Sequence, residues 1–228
     1  MKTAVIAHRG YWKKEGSTQN SLSSLRNAAD LGVYGSEFDV HLTSDNVPVI
    51  HHDPDIAGFA IQKTAYAELK NLVLENGEKI PSLDAYLTAA KELPIRLILE
   101  IKPHATPERN REAVRIIIDA VKRHGVTERI DYITFNIDAG KEVSRLQPDR
   151  SVAYLGGEYT PAQLKEIGFN GIDFNSGVME ANPGYFEEAK KLGMTVNIWT
   201  VNGEENMKRF ALAGADFLTS DTPAACRF

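Results

Sequence analysis

An alternation that runs the length of this chain limits what it can fold into. Short apolar runs rich in β-branched residues are separated by longer segments of helical periodicity. Eight such runs occur, at Ala4–Ala7, Ser36–Val40, Arg96–Ile101, Asp131–Phe135, Ser151–Leu155, Gly171–Phe174, Thr195–Thr200 and Asp216–Thr219. Helices are predicted over Ser21–Leu31, Leu83–Glu92, Pro107–His124, Ala139–Leu146, Pro161–Ile167, Pro183–Leu192 and Glu204–Ala213, several of them ended by a glycine suited to a C-terminal cap. Strands that alternate with helices form a parallel sheet covered by the helices. Eight units in 228 residues fit one α/β domain, a (β/α)8 TIM barrel, a fold that usually takes roughly 250 residues. An open doubly wound sheet is the alternative, but no Gly-x-Gly-x-x-Gly pattern follows the first strand. No linker, low-complexity tract or strong repeat divides residues 1–228, which are therefore read as a single domain.

One segment breaks the alternation. Asn46–His51 is another β-branched run, separated from the second strand only by Thr43-Ser44-Asp45. That is too short for a parallel crossover, so the barrel should carry an extra β-hairpin after its second strand. The turn would bring His52 back beside Glu37 and Asp39.

Composition excludes several classes of function. The net charge of −5 argues against a surface that neutralises many phosphates, so nucleic acid is not an expected partner. Cys226 is the only cysteine, which removes intrachain disulfides and cysteine-rich zinc sites. No apolar stretch approaches the roughly 20 residues of a transmembrane segment. Met1-Lys2-Thr3 leads directly into a strand, which suggests a cytoplasmic protein, or a periplasmic or secreted one if the chain is a trimmed mature form.

In a (β/α)8 barrel the functional groups sit at the C-terminal strand ends and in the loops that follow. Here those positions carry His8-Arg9-Gly10, Glu37-Phe38-Asp39, His51-His52-Asp53, Glu100-Ile101-Lys102 and Trp199-Thr200-Val201-Asn202. Glu37 and Asp39 are two residues apart on a strand and share a side, and Glu100 can join them from the neighbouring strand. Three converging carboxylates repel one another unless a hard cation lies between them, and oxygen-only ligation favours Mg²⁺ or Ca²⁺ over zinc. His8 and His52 are candidates for proton transfer, since an imidazole exists in either state near neutrality. His41, His51, His104 and His124 are expected to be structural, with His51 on the opposite face of its strand from His52. Arg9 and Lys102 suit a phosphoryl group; their plainer reading is an ion pair with the same carboxylates.

These residues, in order, resemble the glycerophosphodiester phosphodiesterase family. The resemblance rests on His8-Arg9-Gly10, Gln19-Asn20-Ser21, Gly35-Ser36-Glu37-Phe38-Asp39-Val40, Thr43-Ser44-Asp45, Val47-Pro48-Val49-Ile50-His51-His52-Asp53, Ile80-Pro81-Ser82-Leu83, Leu99-Glu100-Ile101-Lys102, Trp199-Thr200-Val201-Asn202 and Leu218-Thr219-Ser220-Asp221-Thr222-Pro223. It implies hydrolysis of a small-molecule glycerophosphodiester to glycerol 3-phosphate and an alcohol, with one divalent cation. His8 and His52 would be the acid/base pair and Glu37, Asp39 and Glu100 the metal ligands. Arg9 and Lys102 would face the phosphate, and Trp199 would form a wall for the glycerol. The chain departs from the family at Gln19, where Pro-Glu-Asn-Thr is usual, so one carboxylate is missing near the site. Asn20 is also a candidate cap for the first helix. The segment between His52 and Glu100 is short, which suggests an open site. A phospholipase D-like or sphingomyelinase D-like lyase that forms a cyclic phosphate is the alternative enzyme. A catalytically silent phosphodiester-binding barrel is the alternative outside catalysis, and a sugar-phosphate isomerase fits the two histidines less well.

Overall fold

In a computed structural model that describes residues 3–226, eight parallel strands close into a ring. The strands in chain order are β1 (Ala4–Ala7), β2 (Gly35–Leu42), β3 (Pro48–Ile50), β4 (Asp55–Ile56), β5 (Phe59–Ala60), β6 (Arg96–Ile101), β7 (Ile130–Thr134), β8 (Val152–Tyr154), β9 (Gly171–Asn175), β10 (Thr195–Trp199) and β11 (Phe217–Ser220). The ring runs β1-β2-β6-β7-β8-β9-β10-β11, and it closes because β1 pairs with both β2 and β11. The helices are α1 (Leu22–Leu31), α2 (Tyr66–Leu69), α3 (Leu83–Lys91), α4 (Pro107–His124), α5 (Ile137–Leu146), α6 (Pro161–Ile167), α7 (Ser176–Ala181), α8 (Tyr185–Lys191) and α9 (Glu204–Ala213).

Helix α4 shows how local signals set these boundaries. The Thr106 side chain caps its start by accepting from the Arg109 N–H, and Pro107 supplies the first helical residue. Ala113, Val114, Ile117, Ile118 and Val121 form its buried stripe. Lys122, Arg123 and His124 occupy the last turn, where cations are favourable, and Gly125 ends the helix at φ 69°.

Strand alternation separates the main core from the chemistry. On β2, Phe38 and Val40 pack outward with the helices, the Phe38 ring 4.4 Å from that of Tyr86. Each such burial stabilises the fold by roughly 1.5–3 kcal/mol and helps hold β2 with Glu37 and Asp39 on its other face. Ile6, Ile98, Ile133, Ala153 and Leu155 fill much of the barrel interior.

The hairpin forms as the short turn requires. β3 lies antiparallel to β2 outside the ring, with Val40 opposite Ile50 and Leu42 opposite Pro48. The strand is shorter than expected because Asn46 sits in the turn at φ 68° and Pro48 begins the strand. Two other expectations change. The helix expected from Pro183 begins at Tyr185 and is preceded by the separate α7. The short segment after His52 is not bare: β4 and α2 pack around Ile56, Ile61, Leu69, Leu74 and Ile80, with β5 paired to β4 on the outside, and the layer walls one side of the barrel mouth.

Candidate active site

Glu37 and Asp39 enter from β2, and Asp39 pairs in register with Glu100 on β6. All three are buried, and one potential ligand oxygen from each lies within 4.8 Å of the others. Glu37 Oε2 accepts a 2.7 Å hydrogen bond from the Arg9 backbone N–H, whereas Glu37 Oε1 has no hydrogen-bond partner among the described residues. Asp39 Oδ2 accepts from Asn20 Nδ2 at 2.8 Å, and Asp39 Oδ1 accepts from Lys102 Nζ at 3.1 Å. Lys102 Nζ is also 2.9 Å from Glu100 Oε1.

These surroundings push the three carboxyls apart. Burial, then repulsion from Asp39 and Glu100, raises Glu37 well above the usual carboxylate range. Burial and the Asp39 charge push Glu100 up to about 8. Burial also acts upward on Asp39, but Lys102, His52, Asn20 and Arg9 outweigh it and hold that carboxyl low. Two carboxyls displaced upward beside an unpartnered oxygen fit a hard cation, which would favour their ionised forms. Glu37, Asp39 and Glu100 are the residues that could hold it.

Each candidate histidine is oriented by its own carboxylate. His8 Nδ1 is 2.8 Å from Asp221 Oδ1, and His52 Nδ1 is 2.7 Å from Asp53 Oδ1. Burial acts upward on Asp221, but its bonds to His8 and Asn202 prevail and hold it at about 2. Burial draws His52 below the usual imidazole range, against the pull of Asp39. In both rings Nδ1 is engaged, which leaves Nε2 for a substrate. His8 and His52 line one cavity of about 90 Å³ together with Arg9, Glu37 and Glu100.

Arg9 Nη1 donates to Gln19 Oε1 at 2.6 Å, and its Nε, 3.8 Å from Asp39 Oδ2, has no hydrogen-bond partner among the described residues. A neutral amide thus orients the guanidinium where a carboxylate would neutralise it. Lys102 forms the ion pairs of its plainer reading, with both Asp39 and Glu100. Trp199 lines the same cavity; its Nε1 donates to the Asp173 carbonyl at 2.9 Å, and its ring meets Phe135 edge-on at 5.8 Å.

Several roles were not legible in the sequence. Ser21, not Asn20, caps α1, and Asn20 is instead turned to Asp39. His51 borders a second groove, of about 450 Å³, alongside His52. Asp53 had a signal in its adjacency to His52, and Asp221 had one in its position just after the last strand.

With its titratable groups gathered at the strand ends, this (β/α)8 barrel falls in the class of phosphoric diester hydrolases on comparison with known proteins. The chain belongs to the glycerophosphoryl diester phosphodiesterase family, whose family model matches residues 8–225. A crystal structure of a glycerophosphodiester phosphodiesterase from Parabacteroides distasonis is 54% identical, covers 98% of this chain and 94% of its own, and superposes with a TM-score of 0.96. An Oleispira antarctica phosphodiesterase, solved in complex with the product sn-glycerol-3-phosphate, is 26% identical over 97% of this chain and 94% of its own, with a TM-score of 0.87. The glycerophosphodiester phosphodiesterase of Caldanaerobacter subterraneus subsp. tengcongensis is 27% identical over 98% of this chain and 96% of its own length. Among the described residues, no helix is long and apolar enough to cross a membrane.

Proposed function

We propose that this protein hydrolyses glycerophosphodiesters to glycerol 3-phosphate and an alcohol, with Mg²⁺ or Ca²⁺ held by Glu37, Asp39 and Glu100. The observation that carries this reading is that a buried three-carboxylate cluster, through Glu37 and Glu100, and two carboxylate-oriented histidines open on the same cavity. The cation, when bound, draws charge from a phosphoryl oxygen. Arg9 and Lys102 add positive charge beside the phosphate, with Gln19 aiming the Arg9 guanidinium.

Arg9 and His52 line both the smaller cavity and the larger groove, which makes their junction the natural seat of the phosphodiester. The glyceryl group then lies in the cavity against Trp199, and the alcohol lies in the groove. On this assignment His52 Nε2 gives a proton to the departing alkoxide oxygen, and His8 Nε2 takes one from the attacking water. The water oxygen forms the new bond to phosphorus as the phosphorus–alkoxide bond breaks.

A panel of glycerophosphodiesters assayed with different divalent cations tests the reading, with ³¹P NMR of the products. Glycerol 3-phosphate is expected as the first phosphorus product. A cyclic phosphate accumulating first would favour the lyase, and no turnover of any diester would contradict the reading.

A further inference from the structure

Among the buried ionisable groups that the mechanism above leaves without a task is one on β9. Asp173, on β9, is fully buried inside the ring. Its Oδ2 accepts from Asn197 Nδ2 at 2.9 Å, while Oδ1 has no hydrogen-bond partner among the described residues. Asn197 Nδ2 also reaches Thr219 Oγ1 at 2.9 Å, so β9, β10 and β11 place three linked polar side chains across one side of the barrel. Their counterparts inside β1, β6, β7 and β8 are Ile6, Ile98, Ile133 and Ala153. Burial, only partly offset by the Asn197 hydrogen bond, pushes the Asp173 carboxyl up to about 7.

An unpartnered carboxyl oxygen in such a place is destabilising, and an aliphatic residue would serve the core better. Costs of this kind are kept where a function needs them. Asp173 and Thr219 both line the cavity of about 90 Å³, two strands apart, with Trp199 between them in the ring. Of the groups assigned to phosphate, cation and proton transfer, Glu37 and Glu100 enter that cavity from β2 and β6, and His8, Arg9 and His52 from the loops after β1 and β3. The polar lining side chains that remain are Asp173 and Thr219.

We propose that Asp173, with Thr219 beside it, is the specificity-determining floor of the cavity and hydrogen-bonds the free hydroxyls of the substrate's glyceryl group. The inference rests on the glycerophosphodiester reading and deepens it. A hydroxyl both donates and accepts, so it satisfies Oδ1 whether the carboxyl is ionised or protonated. A plain alkyl chain in the same place leaves Oδ1 without a partner, and sites that bury unpaired polar groups against an analogue discriminate against it.

The test compares kcat/KM for a glycerophosphodiester with that for the same diester carrying propyl in place of glyceryl. Wild type is expected to prefer the glyceryl compound. In Asp173→Leu, which replaces both carboxyl oxygens by methyl groups, the preference should fall about tenfold, mainly through KM, while Tm rises. Asp173→Asn keeps polar atoms in place and should retain the preference within about threefold. If Asp173→Leu does not fold, Asp173→Ala reads the same ratio without any demand for space. A glyceryl-to-propyl ratio in the Leu or Ala variant that matches wild type would overturn the assignment of Asp173 and leave the functional reading intact. Absence of wild-type turnover on every glycerophosphodiester would instead overturn that reading, and the inference with it.

Discussion

His8 and Asp221 are 213 residues apart in the chain and 2.8 Å apart at the barrel mouth, imidazole Nδ1 against carboxylate Oδ1. The contact follows from closure of the ring: β1 pairs with β11 in register from Ala4 opposite Phe217 to Ala7 opposite Ser220, so the residue after each strand meets the other. Asp221→Asn keeps the shape and removes the charge that fixes the His8 tautomer. Removing such an orienting partner typically costs 10–100-fold, so kcat should fall on the order of 10–100-fold with KM little changed. Steady-state kinetics decide this, and an unchanged kcat would leave the pair a purely structural one.

Asn20 bridges Asp39 at two atoms, donating to Oδ2 at 2.8 Å and accepting from the Asp39 backbone N–H at 3.1 Å. Asn20→Ala leaves a buried carboxylate oxygen and a buried N–H unpaired. Each such loss costs about 1–3 kcal/mol, so urea denaturation should show a clear destabilisation of about that size or more. A loss below roughly 0.5 kcal/mol, the scale of ordinary surface substitutions, would contradict the bridging role.

The crowding of Glu37, Asp39 and Glu100 predicts coupling between cation and stability. A cation that binds only the folded chain adds about 2.7 kcal/mol at a concentration 100 times its Kd. Mg²⁺ or Ca²⁺ should therefore raise Tm of chelator-treated protein. Glu37→Gln replaces a buried carboxyl whose ionised form its neighbours repel, so it should raise Tm without cation and blunt the rise with it. Thermal scans of both proteins measure the two effects, and equal cation shifts would count against Glu37 as a ligand.

For Asp173 the effect of pH on stability has the opposite sign to that of a salt-bridged carboxylate. Its folded pKa, about 7, lies above the unfolded value of roughly 3.9. Between those values the folded chain binds the proton and the unfolded chain does not, so this group's contribution falls as pH rises from about 4 to about 7 and then levels off. Asp173→Leu should therefore gain stability over wild type progressively across that window. Urea midpoints at pH 4.5 and pH 7.5 give the comparison, and a difference that does not change with pH would refute the titration.

The ring itself was legible because periodicity and caps agree with it: β1, β6, α4, α6 and α9 fall where the sequence puts them. α7 was not, since Ser176–Ala181 is a helix of six residues capped by Asn175, too short to show a periodic stripe. At the site, Glu37, Asp39 and Glu100 could be read from strand alternation, and His52 from the hairpin. Asn20 and Asp173 could not, because their roles depend on contacts made by the loop after β1 and by the inner face of β9, and Asp221 was marked only by its place after the last strand, its partner being set by ring closure. The sequence marks Gln19 as a missing charge, and the structure shows its amide oxygen accepting from Arg9.

The central claim joins a cation at Glu37, Asp39 and Glu100 to hydrolysis at the cavity that Glu37 and Glu100 share with His8 and His52. Release of glycerol 3-phosphate from a glycerophosphodiester, followed before chelation, after chelation and after Mg²⁺ or Ca²⁺ is restored, tests it most directly. Activity should disappear with the chelator and return with the cation in wild type, and should fail to return in Glu37→Ala. Turnover that persists through chelation, or returns in Glu37→Ala to the wild-type rate, would contradict the account.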